Sequence, residues 1–259
     1  MANPLSFELT DKVIVVTGAG RGIGKAIAEA CAHYGADLAL GSRTVEESAA
    51  VAQACRGSSL GQGRRAEAWP LDVSSVDSIR TFVDQVLATY GRIDVLVNNA
   101  GTNVPKPALQ YTEEEFDHIT AVNLKGVFFM STAVAQSMID RGIPGSIITI
   151  SSQAGVVGGP LRSVYGAAKS GAGHLARTLA AEWAPHKITV NAVAPTFTRT
   201  PLLEAALQNP DFVRNLEKVP MGRTAEPEEI AAAVVYLASG AARMVTGQVL
   251  CVDGGFTAV

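Results

Sequence analysis

The chain has 259 residues, 47% of them hydrophobic and 17% charged, enough apolar material for one large core and too much for a disordered chain. With 21 Lys and Arg against 24 Asp and Glu the net charge is -3, so there is no basic footprint for nucleic acid. No apolar run approaches the roughly 20 residues of a membrane-spanning helix, and Met1–Thr10 lacks the basic and apolar regions of a signal peptide. Three scattered cysteines, Cys31, Cys55 and Cys251, form no C-x-x-C pair, which points to a reducing cytoplasm. The four histidines do not cluster at metal-ligand spacings, and no metal is expected.

The first strong pattern is Lys12–Thr17, a short β-branched run stopped by glycines, which reads as a buried strand of a parallel sheet. Lys25–Tyr34 carries Ala26, Ile27, Ala30 and Cys31 at helical spacing and stops at Gly35. A strand at Asp37–Gly41, a helix at Val45–Arg56 and a Gly/Ser-rich loop at Gly57–Arg65 follow. The alternation continues with a strand at Ala66–Leu71, a helix at Ser75–Tyr90 and a strand at Ile93–Val97. Thr112 caps a helix with Glu113–Glu115 in its first turn; it runs to about Met138 with a break near Asn123. Then come a strand at Ser146–Ile150, a helix at Val164–Trp183 and a strand at Ile188–Val193. A pattern-poor loop at Pro195–Leu216 precedes a helix at Pro227–Leu237 and a last strand at Gln248–Val252. This predicts one doubly wound α/β domain over residues 1–259, its sheet mostly parallel. The loop 195–216, late in the chain at the carboxyl edge of the sheet, is the candidate substrate lid. Cys31 and Cys251 lie in apolar runs and are expected in the core, and Trp183 is expected to pack.

Thr17, Gly18, Gly20, Arg21, Gly22, Ile23 and Gly24 fall between the first strand and the first helix. Glycines there let the backbone approach a pyrophosphate, and the helix start supplies N–H donors. The spacing is T-G-x-x-x-G-x-G, with Ile23 where a G-x-G-x-x-G motif has its third glycine. A fold of this kind that binds NAD places an acid about 20 residues on to hold the ribose 2′-hydroxyl. Here the second strand ends in Gly41-Ser42-Arg43-Thr44, with an arginine and no acid. Arg43 and Arg21 suit a 2′-phosphate, which favours NADP; the plainer reading makes both solvated surface charges.

Ser152, Tyr165 and Lys169 carry the second pattern, with Tyr165 and Lys169 four apart on one helix face. Tyrosine titrates near about 10, too high for a base at neutral pH, and a neighbouring ammonium favours the phenolate. A serine at the preceding strand end can donate to a substrate carbonyl oxygen. Alone, such a pair is just an amphipathic helix face.

Thr17–Gly24, Asn98-Asn99-Ala100-Gly101 after a strand, Ser152 and Tyr165-x-x-x-Lys169, in this order, resemble the short-chain dehydrogenase/reductase family. The resemblance runs from Leu9 to Gly255 and implies a Rossmann-type fold and a homotetramer whose contacts are made by the long helices. It implies that Tyr165 exchanges a proton with the substrate oxygen and that Lys169 lowers its pKa and binds the nicotinamide ribose. It implies that Ser152, thirteen before the tyrosine, polarises the substrate, and that Asn123 holds a water of a proton relay. Read from the residue alone, Asn123 makes a local hydrogen bond at a helix kink. Asp72 and Val73 would border the adenine; Asn99, Ala100 and Gly101 would line the groove beside the ribose. Pro195, Thr196, Thr198 and Thr200 match the segment that contacts the nicotinamide amide, with Thr196 where the family has glycine.

The segment Gln153–Arg162 and the loop Phe197–Leu216 are expected to wall the pocket, with Ser152, Gln153, Arg162 and Tyr165 toward the substrate, Arg162 for a carboxylate or phosphate and otherwise a surface or subunit-contact residue. Glu182–His186 and the tail Val252–Val259 look like members that oxidise sugars, sugar acids or polyols, including gluconate 5-dehydrogenases. Members that reduce 3-oxoacyl thioesters share most of these features. A different class, an NADP-binding redox sensor or scaffold without turnover, is opposed by the presence of all four catalytic-type residues.

Overall fold

The computed structural model describes residues 6–57, 63–200, 203 and 216–259. Seven strands form one sheet: β1 (Val13–Thr17), β2 (Asp37–Ser42), β3 (Ala66–Pro70), β4 (Val95–Asn98), β5 (Gly145–Ile150), β6 (Ile188–Pro195) and β7 (Val249–Val252). The order is β3-β2-β1-β4-β5-β6-β7, and all pairings are parallel. The seven helices are α1 (Gly22–His33), α2 (Val45–Gly57), α3 (Val76–Tyr90), α4 (Glu113–Thr120), α5 (Gly126–Asp140), α6 (Ser163–Trp183) and α7 (Pro227–Ala238), counted among the described residues.

A parallel sheet needs cover on both faces, and the strand residues divide accordingly. Ile14 and Val16 of β1, Val95 and Val97 of β4, and Ile148 and Ile150 of β5 point into one core with Ile27, Val51, Ile230 and Val234. Val13, Val15, Leu96 and Ile147 point into the other, against Phe82 of α3, Met130 and Val134 of α5 and Leu179 of α6. Asp94 ties the centre of the sheet together. Its carboxylate accepts the Val13 N–H at 2.9 Å and is held by Arg92 at 2.5 and 2.9 Å.

The alternation predicted from the sequence is the one observed. The physical reasons are local: Ser75 caps α3 by accepting the Ser78 N–H, and Gly91, at φ 77°, ends it. Thr112 and Glu115 form the capping box of α4. The predicted break near Asn123 is a π turn over Ala121–Lys125 between α4 and α5. Several boundaries move by one or two residues, β4 for example starting at Val95 instead of Ile93; two shifts bear on the site. α1 starts at Gly22, inside the glycine motif and three residues before the predicted start. β6 runs on to Pro195, because Ala194 and Pro195 pair with Cys251 and Val252. Cys251 is a correction: on the edge strand β7 it is half-buried, while Cys31 and Cys55 are core residues. No helix among the described residues is long and apolar enough to cross a membrane.

A third, smaller cluster lies past the end of β6. Phe197, Leu203 and Val219 pack with Leu216 and Phe256 of the C-terminal tail. Asp253 folds that tail by accepting hydrogen bonds from Gly255 and Thr257. Most of the predicted lid, residues 201–202 and 204–215, lies outside the described residues.

Candidate active site

The strand order reverses between β1 and β4, so a crevice opens outside their carboxyl ends. Thr17 and the glycine turn leave β1 there, and Asn98 to Gly101 leave β4 beside them. The two segments are pinned to each other. Thr17 Oγ1 accepts the backbone N–H groups of Asn99 and Ala100, at 3.0 Å each. The Asn99 side-chain amide donates to the carbonyls of Thr17 and Gly18, both at 3.0 Å. The Thr17 hydroxyl and the Asn99 amide thus brace the two segments that border the groove, and Thr17 is buried.

Gly24 shows how tightly the turn closes on α1: a Cβ there would stand 2.2 Å from the Gly18 carbonyl oxygen and 2.4 Å from Asn99 Nδ2. Only a bare backbone lets the first turn of the helix, with its N–H groups, come so close. Ile23 turns its side chain into the adjoining core. Arg21, extended at the N-cap of α1, is exposed, as is Arg43. The Arg43 charge and a hydrogen bond from Ser74 hold Asp72 below the usual carboxylate range, the Ser74 bond contributing more. Ser42 Oγ closes its own turn by donating to Thr44 O at 2.7 Å. Val73 has its side chain in the second core. One acid was missed in the sequence. Glu47, at the start of α2, folds over Gly20, its Oε2 2.9 Å from where a Cβ would stand. It follows the end of β2 by five residues, beyond the position where an acid was sought.

At the other end of the crevice, Ser152 leaves β5 and begins the short turn Gln153–Gly155, with Gln153 buried. Gly155 lets this turn lie on α6, since a Cβ there would meet the Lys169 main chain at 2.7 Å. The arrangement separates the two serines. Ser151 Oγ donates to the Lys169 carbonyl at 2.9 Å, whereas Ser152 Oγ accepts the Ala154 N–H at 3.1 Å and stands near enough to the Tyr165 phenol to pull its pKa down. Lys169 is buried, its Nζ 2.7 Å from the Ile150 carbonyl and 5.8 Å from the Tyr165 ring centre. Burial pulls its pKa down to about 8.

Tyr165 departs from expectation. Among the protein's own groups, burial pushes its phenol above the ordinary value, and the opposing pull comes from Ser152 and then Arg162. Lys169 Nζ stands over the ring, 5.8 Å from its centre, and burial outweighs what this neighbour contributes. Asn123 closes the circle from the π turn. Its amide donates to Ile119 O at 2.9 Å and Thr102 O at 2.8 Å, and its Oδ1 accepts the Thr102 N–H at 3.3 Å. Gly101 thereby stands between Asn123 Oδ1 and Lys169 Nζ, with a Cβ position 3.1 and 3.5 Å from them. Asn123 does make the kink hydrogen bond read from the residue alone.

The end of β6 supplies the remaining wall. Thr198 Oγ1 donates to Thr196 O, and the Thr200 methyl stands over Gly22. Two buried side-chain oxygens among the described residues make no hydrogen bond, Thr196 Oγ1 and Asn103 Oδ1. Both lie on segments that leave the carboxyl edge of the sheet.

A family model described as enoyl-(acyl carrier protein) reductase matches residues 18–257. D-threitol dehydrogenase of Mycolicibacterium smegmatis is 40% identical over 254 residues, 97% of this chain and 95% of that protein. The chain belongs to the short-chain dehydrogenase/reductase family. Within the family, the 3-oxoacyl-(acyl-carrier-protein) reductase of Thermotoga maritima is 39% identical over 250 residues, 96% of this chain and 98% of that one. The crystal structure of a gluconate 5-dehydrogenase from Burkholderia cenocepacia, in complex with NADP and tartrate, superimposes with a TM-score of 0.91 at 34% identity, covering 98% of each chain. This short-chain dehydrogenase/reductase is therefore an oxidoreductase on a Rossmann-type domain.

Proposed function

We propose that the protein transfers a hydride between the nicotinamide of NADP(H), in preference to NAD(H), and the carbinol or carbonyl carbon of a sugar, sugar acid or polyol. The convergence of Ser152, Tyr165 and Lys169 at the carboxyl edge of the sheet carries this reading. The relatives named for D-threitol and gluconate support the substrate class.

The residues present fit a dinucleotide. The close approach at Gly24 leaves bare backbone at the start of α1 for a pyrophosphate, and the buried Thr196 Oγ1 is a polar atom in need of a partner. Gly18, Gly20, Arg21, Gly22, Ile23 and Gly24 would hold the pyrophosphate, largely through main chain. Arg43 with Arg21 would meet the 2′-phosphate, Ser42, Asp72 and Val73 the adenosine, and Ala100 and Gly101 the ribose. Pro195, Thr196, Thr198 and Thr200 would hold the nicotinamide amide. When bound, the dinucleotide supplies or accepts the hydride.

The chain's own residues handle the proton. In reduction the Tyr165 phenol donates to the substrate oxygen as charge develops there. Its raised pKa keeps it protonated at neutral pH. The Ser152 hydroxyl accepts from Ala154 and so keeps its own proton for the same oxygen. The Lys169 ammonium then stabilises the phenolate left behind. Asn123 is a positioning residue, which holds Gly101 against Lys169 and shapes the π turn for the relay. In oxidation the proton runs the other way. The free thiols fit a cytoplasmic protein. The exposed Phe116 and Phe128 on α4 and α5 fit a homotetramer joined through its helices, which light scattering tests by a mass of four chains.

A screen at 340 nm with NADP and NAD separately, over sugars, sugar acids, polyols and short 3-oxoacyl thioesters, tests the reading. NADP-linked turnover of a sugar acid or polyol is expected. NAD-linked turnover overturns the cofactor preference, and turnover of the thioesters alone favours the second reading that the Thermotoga relative supports.

A further inference from the structure

β6 makes its last ladder pairing at Pro195, and residues 196–200 continue past the sheet held by three other segments. On one side the Thr196 N–H donates to Val252 O at 3.3 Å, where the chain turns into its C-terminal tail. On another, Thr198 pairs with Ala225. The Ala225 N–H donates to Phe197 O at 2.9 Å, and the Arg199 N–H donates to Ala225 O at 2.8 Å. At the far end the Thr200 methyl stands 3.2 Å from where a Cβ of Gly22 would be, in the glycine turn. The segment is therefore a bridge from the tail to the start of α1.

The tail is shaped for its end of that bridge. Asp253 is buried, and its carboxylate accepts the Gly255 N–H at 3.0 Å and the N–H and hydroxyl of Thr257 at 2.9 and 2.6 Å. This winds residues 253–257 into a turn that Gly254 and Gly255 permit at φ 61° and 88°. The turn is seated on the neighbouring segment, with the Met221 N–H donating to Gly254 O at 3.1 Å and a Cβ position on Gly254 only 2.8 Å from the Val219 side chain. It delivers the Phe256 ring edge-on to Phe197, with centres 5.9 Å apart and planes at 83°. A ring from the C-terminal tail thus grips the middle of the segment that the dinucleotide reading assigns to the nicotinamide amide.

We propose that Asp253 and Phe256 are positioning residues for the nicotinamide half of the dinucleotide, acting through residues 196–200. A segment that must be ordered when its ligand binds loses affinity to its own entropy, and a segment already held does not. The tail holds this one through contacts made within the chain, so the amide meets a formed surface. The adenosine half, assigned to Ser42, Arg43 and Asp72, gains nothing from the tail. The inference rests on the dinucleotide reading above.

The test titrates NADPH by its fluorescence and 2′,5′-ADP, which keeps the adenosine and its phosphates and lacks the nicotinamide, by calorimetry. NADH with ADP is the equivalent pair for a protein that favours NAD. Phe256→Ala is expected to lose about 10-fold on NADPH and to stay within about twofold on 2′,5′-ADP, whereas Phe256→Tyr keeps the ring and both affinities. Asp253→Asn, with one acceptor oxygen left, is expected to lose about threefold on NADPH alone. Where Phe256→Ala does not fold, Phe256→Leu keeps the apolar bulk without the ring and gives the same comparison. Equal losses on the two ligands, as a merely structural role would produce, or unchanged NADPH affinity, overturn the inference and leave the oxidoreductase reading standing. Failure of the dinucleotide reading shows earlier, as wild-type protein that binds neither ligand.

Discussion

The two ends of the crevice handle their polar groups in opposite ways. At the glycine turn nearly every side chain is engaged inside the protein. Thr17 receives two main-chain N–H groups, Asn99 holds two carbonyls and Ser42 closes its own loop. On the loops that follow β4 and β6, Asn103 and Thr196 keep buried oxygens without a hydrogen bond. Buried polar groups are normally satisfied, so the first end is built for rigidity and the second holds polarity for a ligand. One end presents bare backbone, and the other presents side chains with hydrogen-bonding capacity to spare.

This contrast can be broken at either end. Tyr165→Phe, at the catalytic end, should reduce turnover by about 10^3 while dinucleotide affinity stays within a few-fold, since positioned acid–base catalysis is worth that much. Retained turnover would remove Tyr165 from the mechanism. Gly24→Ala, at the rigid end, should do the reverse. A Cβ 2.2 Å from a carbonyl oxygen forces the turn open, and dinucleotide affinity should fall by at least about 30-fold, read by fluorescence titration. Thr17→Val leaves two N–H groups without their acceptor and should destabilise the fold by about 1–3 kcal/mol, seen as a lower Tm. The pH profile sharpens the other side. With Lys169 near 8, its ammonium is present below that pH and lost above it, so kcat/KM for carbonyl reduction should decline as pH rises through about 8. A profile level to about pH 10 would separate Lys169 from the proton path. The smallest effect is expected at Glu47, whose carboxylate over Gly20 opposes a second phosphate. Glu47→Gln should improve NADP over NAD binding by about two- to fivefold, measured as a Kd ratio.

The sequence displayed the rigid end well and the other end less well. Strand and helix periods, the capping box at Thr112 and the glycine spacing are local signals, and local signals fixed the element order. Ser152 was separable from Ser151 by spacing, and the structure gives the physical reason in the Lys169 carbonyl that occupies Ser151. Features that stayed hidden depended on distant contacts. Nothing near Glu47 in the chain announces that it folds over Gly20. The third cluster joins Phe197 to Phe256, 59 residues later. The Tyr165 phenol was expected lowered because a lysine four residues on shares its helix face. Burial outweighs that neighbour, and burial cannot be read from spacing.

The π turn at Ala121–Lys125 resets the phase of the long helical segment. Ile119 and Val127 are both buried, yet eight residues on an unbroken α-helix leave two side chains about 80° out of line. One additional residue taken up in a single turn rotates the downstream helix back by about 100°, which returns the two stripes to one side of the rod. The turn that carries Asn123 therefore works as a clutch between α4 and α5. Removing any one residue from it would swing Met130, Val134 and Met138 away from the sheet as a set, so this stretch should tolerate substitution far better than deletion.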